Sequence, residues 1–182
     1  MRSLRAAVLY TALIFGANPV AADIAAADAA RDGDMKKLSF AEAKPVPEVA
    51  LLGMDDAPRS LSEFRGKWLV VNFWATWCPP CRTEMPGLGR LQAALGSDRF
   101  EVVTVAAGRN DVQKIEAFFE EAGVTHLAAL RDPKSELSRG MGILGLPVTV
   151  ILNPEGQEVG RLMGDAEWDG PHAQAVLRAL IQ

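Results

Sequence analysis

Cys78 and Cys81 are the chain's only cysteines, and two residues separate them. A pair at that spacing suits redox exchange of a dithiol, half of a zinc site, haem attachment or a bridge that only staples. Structural zinc takes four ligands, whereas here there is no second cysteine pair, and His126 and His172 lie far off in sequence without ligand spacing. Haem attachment needs a histidine directly after the second cysteine, and Arg82 stands there. A bridge closing so short a loop removes little entropy from the unfolded chain, so a stapling role is weak. Thiol-disulfide exchange is the chemistry that the pair supports best.

The elements around the pair give its sulfurs unequal roles. Trp68 to Trp74 (WLVVNFW) is an almost wholly apolar run, which suits a central strand covered on both faces. Beyond it Met85, Leu88, Leu91 and Leu95 recur at helical spacing and Gly96 stands where a helix would stop. The helix therefore begins at or near the cysteines. A cysteine just before a first helical turn faces unpaired N–H groups and the positive end of the helix dipole, and both favour thiolate, which marks Cys78 as the nucleophile. Cys81, one turn later, points back into the protein and resolves the mixed disulfide. Pro79 and Pro80 stiffen the loop and lack N–H groups where none is needed. Trp77 is placed to pack over the dithiol and screen it, Trp74 to join the core. Arg82 is either a neighbour that lowers a thiol pKa or a solvated cation.

The rest of the chain reads as one domain with a leader. Its 182 residues, 49% hydrophobic, bury a single sizeable core, and a charge of -4 with scattered cations gives no reason to expect nucleic acid. Arg2 and Arg5, the twelve-residue stretch Ala6 to Ala17 and the small residues Val20-Ala21-Ala22 have the order of a secretory signal. That stretch falls short of the roughly 20 residues that span a bilayer, which favours cleavage after Ala22 over an uncleaved anchor. Residues 23–44, rich in Ala, Asp and Lys, are expected to form a flexible tether. The domain then occupies 45–182. Strands are expected at Phe100 to Ala106, Leu127 to Leu130, Val148 to Leu152 and Glu158 to Met163. Helices are expected after Asp111, at Lys134 to Arg139 and after Pro171. This order belongs to an α/β sheet covered by helices on both faces, closed by a hairpin.

NFWATWCPPC, the Arg-Thr-Glu-Met-Pro that follows, and Gly145-Leu146-Pro147-Val148-Thr149 together resemble the TlpA-like branch of the thioredoxin superfamily, which includes the ResA and CcmG proteins. The likeness runs from about residue 45 to the end. It implies an α/β thioredoxin-like fold: a central mixed sheet flanked by helices, with an N-terminal extension and a central βα-type insertion. It also implies that Pro147 is cis and sits against the dithiol, bringing the Leu146 backbone beside the sulfurs, where an extended substrate can pair as a short strand. With Trp77 and Pro80 these residues make the expected substrate site. Thioredoxins carry an aspartate in the central strand where this chain has Asn72, and an amide takes no proton from a buried thiol. Glu84, nearly one turn beyond Cys81, is the candidate acceptor, as in the ResA-type proteins; its bland alternative is a solvent-facing residue of the first turn.

The resemblance further implies a periplasmic reductant of protein disulfides in cytochrome c or cytochrome oxidase maturation, recharged by a membrane electron donor of the DsbD/CcdA type. No cofactor or metal is expected. A disulfide-donating oxidant is a competing reading, because direction follows from reduction potential. A copper-delivery module using both thiolates is another, with Met141 and Met163 as further soft ligands. A peroxidase would instead need a lone peroxidatic cysteine in its own pocket.

Overall fold

The computed structural model describes residues 19–182. In chain order it contains α1 (Pro19–Ala29), a 3₁₀ turn (Gly33–Lys37), β1 (Ser39–Pro45), β2 (Leu51–Leu52), β3 (Pro58–Arg59), a second 3₁₀ turn (Leu61–Phe64) and β4 (Trp68–Trp74). Then follow α2 (Pro79–Leu95), β5 (Phe100–Ala107), α3 (Val112–Glu121), β6 (Ala128–Asp132), α4 (Glu136–Gly140), β7 (Val148–Leu152), β8 (Gln157–Met163) and α5 (Pro171–Leu180). Most of the expected leader lies outside the described residues, and α1 runs across the expected cleavage position after Ala22. No helix among the described residues is long and apolar enough to cross a membrane.

All eight strands join one mixed sheet in the order β1-β8-β7-β4-β5-β6-β2-β3. β4, β5 and β6 run parallel, while on the other side of β4 the strand β7 lies antiparallel to it and β8 antiparallel to β7. Every residue of β4 is buried, as its almost wholly apolar run demands. Its pleat sends Val70 and Trp74 into the layer built by α1, α2, α3 and α5, and Leu69, Val71 and Phe73 into the layer beneath Leu51, Phe64 and Leu137. Asn72, two residues from each of Val70 and Trp74, shares their face and so points toward the dithiol helix. That is a consequence of strand period alone.

Residues 23–44 do not form a tether. Ala27, Met35 and Leu38 are buried in the core, α1 packs on α5, and β1 extends the sheet by pairing with β8. Composition conceals this because β1 is an edge strand whose side chains are exposed, apart from half-buried Phe40. It is held by backbone hydrogen bonds, which leave no hydrophobic alternation in the sequence.

Candidate active site

β4 ends at the C-terminal end of the central parallel strands, and a short loop turns the chain into α2. Asn110 holds that loop from the next crossover: its Oδ1 accepts from the Thr76 N–H at 2.8 Å and the Thr76 hydroxyl at 3.0 Å. Its Nδ2 donates to the Ala107 carbonyl at 2.9 Å. Cys78 is the N-cap of α2, with Pro79 and Pro80 in the first turn. Because neither proline has an N–H, the first amide able to serve the cap is that of Cys81. It donates to Cys78 Sγ at 3.4 Å. A negative charge on that sulfur therefore meets both a backbone donor and the positive end of a 17-residue helix. The two cysteines form a disulfide, S–S 2.02 Å. Cys81 is fully buried, whereas Cys78 keeps 4% of its surface exposed.

Opposite Cys78 the Leu146–Pro147 peptide bond is cis, as the family resemblance implies. The Pro147 carbonyl accepts from the Gly164 N–H at 2.9 Å, while neither backbone group of Leu146 has a partner among the described residues. Cys78, Trp77, Pro80 and Leu146 line one groove of about 630 Å³. Three of the four expected substrate residues thus share the groove with Cys78, while Pro147 follows Leu146 without lining it, and the Leu146 amide and carbonyl carry no hydrogen bond among the described residues. Trp77 lines the groove beside Cys78 and keeps 66% of its surface exposed. Trp74 lies in the core as expected, stacked on Phe119 at 5.5 Å. The Arg82 guanidinium lies 4.1 Å above the Phe118 ring and pairs with Glu121 at 3.3 Å, so those groups, not a sulfur, engage it.

Glu84 is buried, with 4% exposure, which removes the solvent-facing alternative. Its Oε1 accepts from Asn72 Nδ2 at 2.8 Å, and its Oε2 accepts from Trp168 Nε1 at 2.8 Å and the Ala166 N–H at 3.1 Å. Desolvation pushes the carboxyl up to about 7, against the three hydrogen bonds, which favour its charged form; the nearby Asp165 adds to the rise. Burial wins because removing a carboxylate from water costs more than three donors return. Asn72 Nδ2 also donates to Thr149 Oγ1 at 2.9 Å, while its Oδ1 is buried without a partner. Asn72 Nδ2 is thus shared between Glu84 and Thr149, and the amide takes no proton itself.

Asn110, Thr149, Ala166 and Trp168 were not among the residues that sequence reasoning singled out. Thr149 was at hand in the Pro-Val-Thr segment, one pleat from the cis bond. Trp168 carried only the weak signal of an indole that needs a partner when buried.

Comparison with known proteins agrees with this architecture. Residues 43–157 match the AhpC/TSA family model. The thiol-disulfide oxidoreductase ResA of Bacillus subtilis is 30% identical over 128 residues, covering 70% of each chain. The thioredoxin-like protein YneN of the same organism is 31% identical over 123 residues, 66% of this chain and 71% of its own. A thiol:disulfide interchange protein of the thioredoxin family from Chlorobium tepidum superposes with a TM-score of 0.61 at 28% identity, over 78% of this chain and 99% of its own. The match over most of the domain, joined to a bonded Cys-X-X-Cys pair at a helix N-cap and a cis Leu146–Pro147 bond, shows that the chain belongs to the AhpC/TSA family and is a TlpA-like thiol-disulfide oxidoreductase of thioredoxin fold.

Proposed function

We propose that this oxidoreductase works as a periplasmic reductant of protein disulfides, with Cys78 as the attacking sulfur, Cys81 as the resolving sulfur and Glu84 as the proton acceptor. The observation that carries the reading is the placing of Cys78 Sγ: it caps α2, accepts from the Cys81 amide and borders the groove with Leu146. In the reduced protein the Cys78 thiolate attacks a substrate disulfide. A mixed disulfide forms and one substrate sulfur leaves as thiolate. Cys81 then passes its proton to Glu84 and attacks Cys78 Sγ, releasing the second substrate thiolate and restoring the 78–81 bond. Two electrons have moved from the protein dithiol to the substrate.

A carboxyl poised near 7 accepts that proton and returns it within the physiological range. Arg2, Arg5 and the apolar stretch after them support export, with a membrane donor of the DsbD/CcdA type returning the two electrons and maturation proteins of cytochrome c or cytochrome oxidase as substrates. The reduction potential of the 78/81 pair, measured together with the Cys78 thiolate titration, tests the direction. A potential near that of thioredoxin, about -270 mV, is the expected result; one near -120 mV assigns a disulfide donor instead.

A further inference from the structure

Among the described residues three large hydrophobic side chains are exposed: Trp77 at 66%, Leu144 at 98% and Met163 at 73%. Trp77 and Leu144 line the Cys78 groove. Met163 faces Val148 across the β7–β8 ladder, one residue beyond the cis proline. The molecule therefore collects its exposed apolar bulk around the dithiol, where an apolar partner surface can cover it.

The charges on this face form a second pattern. Arg139 is the one charged residue lining the Cys78 groove. Trp77 also walls a neighbouring groove that holds Arg82, Arg109, Lys114, Asp111 and Glu121. There Arg82 pairs with Glu121 at 3.3 Å and Lys114 with Asp111 at 3.2 Å. Arg109 and Arg139 are exposed and form no ion pair with any described residue. Four cations thus meet two carboxylates around Trp77, on a chain whose formal charge is -4. An acidic protein keeps a surplus of positive charge beside its reactive sulfur.

We propose that the two grooves receive an extended polypeptide whose disulfide cysteine is flanked by carboxylate side chains, with an apolar side chain covering Leu144 and Trp77. The free arginines draw the segment in and set its direction, and the Leu146 backbone holds it as a short strand beside Cys78. The proposal rests on the redox reading above and names the class of protein disulfide it acts on: acidic and apolar around the cysteine. Two electrons pass from the dithiol to the bound disulfide, as already balanced.

The test uses the reduced protein and three peptides, each with one intramolecular disulfide and the same apolar residue. They differ only in Asp, Ser or Lys flanks. In single-turnover reduction at low ionic strength the Asp peptide is expected to react about tenfold faster than the Lys peptide, a gap that steering by two net charges can supply. It should shrink to about twofold at ~0.5 M salt, where the Debye length is a few ångströms. The double variant Arg109→Gln/Arg139→Gln should lose most of the gap at low salt, and Leu144→Ser should raise the half-saturating concentration several-fold for all three peptides while the limiting single-turnover rate holds. All three positions are exposed, so folding is not at issue. Equal rates for the three peptides, or a gap indifferent to salt and to the arginines, overturn the proposal alone. Failure to reduce even the Ser peptide overturns the redox reading and this proposal with it.

Discussion

Trp168 donates its indole N–H to Glu84 at 2.8 Å across 84 positions of sequence, joining the segment before α5 to the second turn of the dithiol helix. Trp168 is itself fully buried. The buried carboxyl proposed as the proton acceptor is therefore set by a loop on the far side of the β7–β8 hairpin. That loop is held in turn by the N-terminal extension, where Glu167 N–H donates to Asp34 at 3.1 Å and Lys37 Nζ donates to the Asp165 carbonyl at 3.0 Å.

Removing the indole donor while keeping an aromatic ring should raise Glu84 further, because the lost hydrogen bond favoured the charged carboxylate. For Trp168→Phe we expect an upward move of about one pH unit, the equivalent of one charge-assisted bond of about 1.5 kcal/mol. Carboxyl-carbon NMR of Glu84 reads it directly. An unmoved titration would mean that the indole only fills space.

The same carboxyl predicts a pH dependence of stability. Its folded value, about 7, lies above the ordinary value of 4.5, so the native state holds the extra proton. Its contribution is fully present below pH 4.5 and falls as pH rises through 7, a loss of roughly 3 kcal/mol for so large a shift. Asp32, Asp34, Glu63 and Asp169 are lowered instead, so they lose stability on acidification, below this window. Denaturant unfolding of the oxidised protein should show this decline between pH 4.5 and 7, and Glu84→Gln should flatten it. A wild-type curve level across that interval contradicts the assignment.

Of the two cysteines, Cys78 alone reaches the groove. Cys81→Ser should accumulate a mixed disulfide with a substrate peptide, visible by mass spectrometry, because attack proceeds and resolution cannot. Cys78→Ser should trap nothing and lose on the order of 10³-fold or more in exchange rate. Trapping through Cys81 instead would reverse the roles drawn from helix position and burial.

Met35 separates a folded N-terminal extension from a tether. It is 1% exposed in the core beside Leu38 and α5. Met35→Ala should cost about 2–4 kcal/mol through lost burial and a cavity. A tether residue would cost nothing, so an unchanged midpoint in chemical denaturation would return residues 23–44 to that description.

Where local pattern reports burial, the sequence alone was enough. The almost wholly apolar run bounded β4 as Trp68–Trp74, the helical spacing placed α2 up to Leu95, and VTVIL marked β7 as Val148–Leu152. The two-residue gap between the cysteines at a strand-to-helix junction named the chemistry, since a helix start stabilises a thiolate whatever the rest of the chain does. Only the tertiary structure decided what surrounds it. Glu84 is buried and shared by Asn72, Ala166 and Trp168 because β4, α2 and the loop before α5 converge there, and no periodicity encodes convergence between segments so far apart. Residues 23–44 became structure because β8 had an open edge to pair and α5 a face to cover, partners that composition cannot see.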